Sequence, residues 1–351
     1  MPATIVVGAQ YGSEGKGKVV ALISKSRPVA CVVRCGGPNS GHTTSIRGQE
    51  TVLRQLPASV DVSNGLVALS AGTVVDVDVL EREVRLCGVD RQRLIIDPRA
   101  VLVSEEDKRL EQTLVTSIGS TGSGNGRAIA RRILRDEVEL AAESTRLSKI
   151  ARVESVAPLL HNFMSDQQEV VVEGTQGFGL SLLHGTSYPN VTSKDTTASA
   201  FAMETGLSPR DVNQIVMVVR TLPIRVAGPS GPLRRETSWD CIRVQSGAPT
   251  VEPEFTSVTK KLRRVADFDL AMVKLAAAYN KPTSIAVMGV DRLDYRNRGV
   301  TSVEDLTEPA TDFLDFLRSE LGVPIEWIGT GFGTLDAVST KAAFVGDLAD
   351  V

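Results

Sequence analysis

The chain opens on an apolar run, Thr4 to Val7, that passes into the glycine- and lysine-rich stretch Gly12 to Lys18 and then into apolar residues at helical spacing near Lys18 to Leu22. A run apolar at every position suits a strand covered on both faces, and a strand feeding a glycine-rich turn and a helix commonly starts an α/β sheet. Further short apolar runs lie at Ala30 to Val33, Gly65 to Leu69, Leu94 to Ile96, Val170 to Val172, Ile215 to Val219, Ser284 to Val287 and Ile325 to Ile328. Their alternation with helix-like stretches predicts an α/β fold with a mostly parallel central sheet flanked by helices, forming a single domain over 1–351. Three- and four-residue apolar spacing predicts helices at Val77 to Leu86, Glu105 to Leu114, Asp136 to Ile150 and Asp267 to Ala278. The prolines and weak periodicity of the segment at about 227–257 predict a loop-rich excursion.

Composition narrows the function classes. With 351 residues, 42% of them hydrophobic, the chain can bury a large core. A formal net charge of −3 provides no broad basic face for nucleic acid, so anionic ligands must be met locally. Cys31, Cys35, Cys87 and Cys241 form no CxxC pair, and His42, His161 and His184 have no zinc spacing relative to them, which points to reduced cysteines in a cytoplasmic protein. The segment MPATIVVGAQ has no basic n-region, and no stretch reaches the roughly 18 apolar residues of a membrane span.

Four motifs carry the chemistry. In GSEGKGK, Gly12 to Lys18, glycines allow close backbone approach, N–H groups at a helix start can hold phosphate oxygens, and Lys16 or Lys18 supplies positive charge. The glycines alone would mark only a tight turn; two lysines beside them favour phosphate. The stretch fits GxxxxGK, but Val19 stands where an ordinary P-loop has a magnesium-binding hydroxyl. CGGPNSGHTT, Cys35 to Thr44, places Asn39 and His42 just after a second predicted strand, where α/β proteins gather their sites. SIGSTGSGNGR, Ser117 to Arg127, is rich in hydroxyls and glycines and is followed by Arg131 and Arg132, so it could bind a second phosphate or serve as a solvated linker. The stretch from Val172 to Ser199 mixes Gln176, His184, Thr192, Asp195 and Thr196 in a loop that ends in a helix cap.

Taken in order, and continued through IGTGFG at Ile328 to Gly333, these motifs resemble the adenylosuccinate synthetase family along nearly the whole chain. The resemblance implies that family's P-loop-related fold and a ligase joining L-aspartate to the 6-position of a purine monophosphate. A nucleoside triphosphate and Mg2+ serve to phosphorylate the 6-oxygen first. It implies that Lys16 steadies the transferring phosphoryl group, that His42 is the general acid and that Gln176 holds the purine. The Gly41 carbonyl and position 13 would bind the metal. Gly12, Glu14, Gly15, Gly17 and Lys18 would form the phosphate loop; Asn39, Ser120, Thr121 and Thr192 would hold the monophosphate; Asp291 and Gly331 would meet the donor nucleotide; Thr259 and Arg263 would hold aspartate. Arg131 resembles the arginine that reaches into a partner subunit's site, which implies a homodimer.

Three departures refine this. The family loop reads GDEGKGK, its aspartate taking the purine N1 proton and binding magnesium; this chain has Ser13, a poor base with room beside it for an exocyclic amino group. Where the family reads guanine with TKLD, this chain has MGVD at Met288 to Asp291, which favours ATP or dATP over GTP. In VTKKLRR, Val258 to Arg264, Lys261 replaces an arginine used near the ribose 2′-hydroxyl, which suits deoxyribose. Together these resemble the PurZ-like branch, which acts on dGMP to make N6-succino-2-amino-2′-deoxyadenylate for diaminopurine DNA, in the host cytoplasm if viral. The rival expectations are a synthetase acting on IMP with GTP and a non-catalytic nucleotide-binding switch.

Overall fold

The computed structural model describes residues 3–256 and 260–341. Its main sheet contains β1 (Ala3–Gly8), β2 (Cys31–Arg34), β3 (Leu66–Leu69), β4 (Leu94–Ile96), β5 (Arg152–Val153), β6 (Val170–Glu173), β7 (Val212–Arg220), β8 (Ser284–Met288), β9 (Ile325–Gly329) and β10 (Ala337–Ser339). They lie in the order β10-β9-β8-β7-β1-β6-β2-β3-β4-β5, and every neighbouring pair is parallel except β9 with β10. The mostly parallel sheet read from the apolar runs is therefore present, with each run inside or overlapping a strand.

The helices are α1 (Lys16–Ser26), α2 (Val77–Cys87), α3 (Glu105–Ile118), α4 (Asn125–Leu134), α5 (Leu147–Ile150), α6 (Val156–Ser165), α7 (Ala198–Thr205), α8 (Trp239–Ser246), α9 (Leu270–Asn280) and α10 (Glu308–Leu321). They cover both faces of the sheet, which explains why β1 is apolar throughout: Ala3, Ile5 and Val7 join one core, while Val6 packs in another with Val19, Val20, Leu22 and Ile23 of α1. Ser104 and Asp107 form a capping box at the start of α3, and the helix runs past its predicted end to Gly119, which takes the left-handed conformation at φ 71°. None of the described helices is long and apolar enough to cross a membrane.

Two expectations are corrected. Asp136 to Ile150 is not one helix: Leu140 bridges to Val101 and the Leu102 N–H donates to the Glu139 carbonyl, so this backbone is committed to strand pairing, leaving only a short 3-10 turn at Ala141–Glu143 and α5. The helix lies earlier, as α4, within sequence read as a glycine-serine loop. Only Asn125 and Ala128 of α4 are buried, so its arginine-rich sequence carries little apolar signal. The excursion at 227–257 also has internal order. Glu236–Thr237 pairs with Arg264–Ala266, which pairs in turn with Ile224–Arg225, and Trp239 and Ile242 of α8 close a small core with Ile224 and Val265.

This topology places the site. β1 lies between β6 and β7, at the point where the strand order reverses, and the segments leaving β1, β2, β6, β7, β8 and β9 emerge at the carboxyl edge of the sheet, where open α/β sheets bind ligands. The approach there is close. A Cβ added to Gly174, just after β6, would lie 2.4 Å from Phe201 Cε2 and 2.5 Å from the Val6 carbonyl oxygen. Phe201, 1% exposed on α7, thus seats the chain that turns out of β6. Phe201→Ala should lower the unfolding free energy by about 3–5 kcal/mol in a denaturant titration; a loss under about 1 kcal/mol would show that this contact does not support the edge.

Candidate active site

The loop after β1 is held in shape from within. Gly12, Ser13 and Gly15 have φ of 88°, 58° and 104°, the left-handed region that glycine enters freely and serine rarely. Glu14 turns its carboxylate inward, where Oε1 accepts the Gln10 N–H at 3.0 Å and the Gly12 N–H at 2.8 Å, and Oε2 accepts from Lys16 Nζ at 2.6 Å. Both members of that ion pair are buried. Glu14, expected among the phosphate contacts, therefore braces the loop. Ser13 is the exposed residue of the turn.

Lys18 faces away from Lys16. Its ammonium donates to the carbonyls of Gly331 at 3.0 Å and Asp336 at 2.5 Å, tying α1 to the segment after β9, and burial lowers its pKa to about 8. Thus Lys16 and Lys18, equivalent as positive charges in the sequence, differ in the fold. One anchors the loop from below, and the other clamps its flank.

Behind His42 is a buried cluster that the motifs did not reveal. Arg34 ends β2 and Glu173 ends β6, paired across neighbouring strands. Glu173 Oε1 lies 2.5 Å from both Arg34 NH1 and His42 Nδ1, Oε2 accepts the Ala58 N–H at 2.9 Å, and Arg34 NH2 donates to the Ser40 carbonyl at 2.9 Å. Its charged partners hold the Glu173 carboxyl below the usual range despite its burial. Arg34 NH1 also lies 2.8 Å from Nδ1, so both contacts of the ring fall on that nitrogen and Nε2 is left for a ligand. Burial first, then the Arg34 charge, lowers the His42 pKa to about 4 against the opposing pull of Glu173. The sequence did hold a signal: CVVR and VVVE each end a fully apolar run in a charged residue.

These elements wall two clefts. The first, of about 390 Å³, is lined by Gly12, Ser13, Lys16, Asn39, Gly41, His42, Ser120, Thr121, Gln176, Thr192 and Arg263 among others. The second, of about 550 Å³, is lined by Ser13 through Lys18, Gly41, His42, Arg263, Asp291 and Gly331 among others. Ser13, Lys16, Gly41, His42 and Arg263 line both, so the clefts meet at these residues. In the first, Asn39 Nδ2 donates to Thr192 Oγ1 at 3.3 Å, and Thr121 and Ser123 hydroxyls are 2.7 Å apart. In the second, Asp291 Oδ2 is 3.4 Å from Arg298 NH2, and Arg292 and Arg298 stand 4.7 Å and 5.3 Å from the Phe332 ring centre. Arg220 and Glu254 form an ion pair there, and Arg220 NH1 donates to the Ser13 carbonyl at 3.2 Å. Arg131 lines neither cleft; it pairs with Asp107 at 2.6 Å. Thr259 lies outside the described residues.

A metal held by side chains alone finds no place, since no cluster of three or more His, Cys, Asp or Glu with ligating geometry occurs among the described residues. The junction instead presents Gly41 and Ser13, a sparse oxygen set of the kind Mg2+ accepts when phosphate oxygens and water complete its octahedron. Two clefts meeting at a lysine, a histidine and an arginine can bring a phosphoryl donor and an acceptor into line.

Known proteins carry the same arrangement of sequence and fold. Residues 5–142 and 138–298 match the adenylosuccinate synthetase family model. The adenylosuccinate synthetase of Methanocaldococcus jannaschii is 36% identical over 337 residues, covering 94% of each chain. That of Pyrococcus horikoshii is 36% identical over 337 residues, covering 94% of this chain and 96% of its own. Among solved structures, fully ligated adenylosuccinate synthetase from Plasmodium falciparum superposes with a TM-score of 0.86 at 20% identity, covering 97% of this chain and 100% of that one. Cyanophage S-2L succinoaminodeoxyadenylate synthetase (PurZ), bound to dGMP and to dATP as energy donor, superposes with a TM-score of 0.82 at 25% identity, covering 97% and 96%.

The shift at His42 has a measurable sign. Between its ordinary 6.5 and about 4, the unfolded chain binds a proton that the folded protein does not, so stability falls as pH drops through that window. Histidine side-chain NMR of the ligand-free protein should show the His42 ring still neutral at pH 6, and an apparent pKa above 6 would contradict the arrangement.

Proposed function

The chain belongs to the adenylosuccinate synthetase family of carbon–nitrogen ligases, and we propose that within it the protein acts on dGMP. It joins L-aspartate to the 6-position with ATP or dATP as phosphate donor, giving N6-succino-2-amino-2′-deoxyadenylate, the nucleoside diphosphate and phosphate. The observation that carries this reading is Ser13. It stands exposed where the two clefts meet, at the position where the family pattern has an aspartate. A serine there takes away an acceptor and a negative charge, and leaves space for the 2-amino group that guanine has and hypoxanthine lacks.

In this reading the first cleft takes the monophosphate nucleotide, with Ser120, Thr121, Asn39 and Thr192 as hydroxyl and amide donors to its phosphate and Gln176 beside the base. The second cleft takes the donor, whose terminal phosphoryl group reaches the 6-oxygen past Lys16. The 6-oxygen takes the phosphoryl group as N1 gives up its proton to solvent, which turns a poor leaving group into phosphate; the aspartate amine then attacks C6, the C–O bond breaks with loss of that phosphate, and the surplus amine proton passes to solvent. Lys16 balances charge on the moving group, and His42 Nε2 meets the 6-oxygen while Glu173 fixes its ring. Charge from the donor's phosphates, arriving in the second cleft, opposes the effect of Arg34 and raises the His42 pKa toward the range of a general acid. Mg2+, held by the Gly41 carbonyl, Ser13 and substrate oxygens, would neutralise phosphate charge when bound. Arg263, half-buried where it lines both clefts, and Thr259 would hold the aspartate carboxylates. Arg131, on the outer side of α3 and α4, would reach the first cleft of a second copy in a homodimer.

The donor assignment rests on the second cleft. Gly289 offers no side chain to pack on a base, and Asp291 already faces Arg298, so its carboxylate is partly engaged and less able to accept from guanine N1 and N2. That favours an adenine nucleotide. A second reading, IMP with GTP, is favoured by the archaeal relatives named adenylosuccinate synthetase.

Purified protein given L-aspartate, Mg2+ and each pairing of dGMP or IMP with ATP or GTP should release phosphate with dGMP and ATP; turnover of IMP with GTP alone would transfer the conclusion to the second reading. Phosphate release with no aspartate requirement would indicate a nucleotide switch. Ser13→Asp should lower kcat/KM for dGMP relative to IMP by about tenfold or more, the size of one lost or opposed contact. An unchanged ratio would remove Ser13 as the selector.

A further inference from the structure

Glu111 is a carboxylate that the scheme above leaves idle. It projects from α3 and is 5% exposed, yet it lines the first cleft beside Ser120, Thr121 and Gly126. Its Oε1 accepts from Ser120 Oγ at 3.0 Å, and the nearby N–H groups of Gly124 and Gly126 favour the ionised carboxyl. These are the first amides of α4, whose N-cap Gly124 has no side chain to satisfy them. Glu111 thus sits at the end of a ten-residue helix where an anion is favoured. Its other oxygen, Oε2, is buried without a hydrogen-bond partner among the described residues.

The surroundings offer this oxygen little charge. Arg127 at the start of α4 favours the ionised form, but burial acts more strongly and pushes the carboxyl up. On the same helix Asp107 is neutralised by Arg131, Arg54 donates to Ser123 Oγ, and Lys194 pairs with Glu204. The other charged residues lining the cleft are Lys16, Arg225 and Arg263, and His42 there is neutral.

A phosphomonoester is a dianion above its second pKa of about 6, and two anions cannot share one helix end without repulsion. We propose that Glu111 belongs to the monophosphate subsite and binds the phosphate as the neutral carboxylic acid, its Oε2–H donating to a phosphate oxygen, so that nucleotide binding takes up one proton. The balance is simple: carboxylate, dianion and a proton from solvent give the neutral acid hydrogen-bonded to the dianion, and no other bond changes. This rests on the reading of the first cleft as a nucleoside monophosphate site, but not on which base it takes.

Calorimetric titration of the full chain with dGMP and with IMP, in buffers of different ionisation enthalpy between pH 7 and 8, tests it. The wild type should take up close to one proton and bind more weakly by about tenfold per pH unit. Glu111→Gln, which keeps a donor at Oε2, should take up none and lose the pH slope. Uptake unchanged in Glu111→Gln would locate the proton elsewhere, at His42 for example, and overturn the proposal. Binding without uptake in the wild type would reduce Glu111 to a brace for α4 and overturn it equally. If Glu111→Gln does not fold, carboxyl 13C NMR of the wild type decides, since Glu111 must shift to its protonated position on adding dGMP or IMP. Failure of both nucleotides to bind the folded protein would overturn the monophosphate reading itself, and this inference with it.

Discussion

The contact between Glu173, Arg34 and His42 sets the geometry on which the site depends. Neighbouring strands present a carboxylate and a guanidinium at the same level of the sheet, and His42, which opens a hairpin of His42–Ile46 with Gln49–Leu53, closes on both. Such a group is expensive to bury and more expensive to break, because removing one member strands the charge of the others. Its position therefore does not drift, and whatever His42 touches is located relative to the sheet itself. Ala58 and Ser40 add backbone bonds to the same cluster, so two otherwise independent loops are referred to one carboxylate and one guanidinium.

A second buried pair does the same for the phosphate loop. Glu14 and Lys16 are two residues apart and bond to each other, yet Lys16 still lines both clefts. The lysine is held at the meeting point, and the carboxylate that holds it spends its other oxygen on loop amides. Positive charge at the junction is accordingly moderated, and Arg263 from the far side restores it. That balance suits a position which must attract phosphate and also release it.

Much of this was readable from the residues. Strands buried on both faces announce themselves by unbroken apolar runs, and glycine-rich turns after them mark the carboxyl edge, so β1, β2, β6 and their loops were found in place. The sequence was blind where burial is carried by something other than apolar spacing. α4 is mostly exposed and arginine-rich, and its turn of small residues looks like a linker. The run from Asp136 to Ile150 has helical spacing, but its backbone bonds are taken by Val101 and Leu102. A charged residue ending a strand is common, so Arg34 and Glu173 become informative only through their adjacency across β2 and β6. The two lysines of one motif differ only through the fold, where Lys18 holds the carbonyls of Gly331 and Asp336.

That last bond has a temporal meaning. Lys18 meets Gly331 across 313 positions of sequence, and β1 cannot pair until β6 and β7 exist. Contacts so distant form late, because the entropy of closing large loops precedes any reward for closing them. A ribosome-bound chain that has finished α1 possesses the whole phosphate loop and none of its walls. The second cleft comes into being only when the segment after β9 has emerged, so its far wall is added long after its floor.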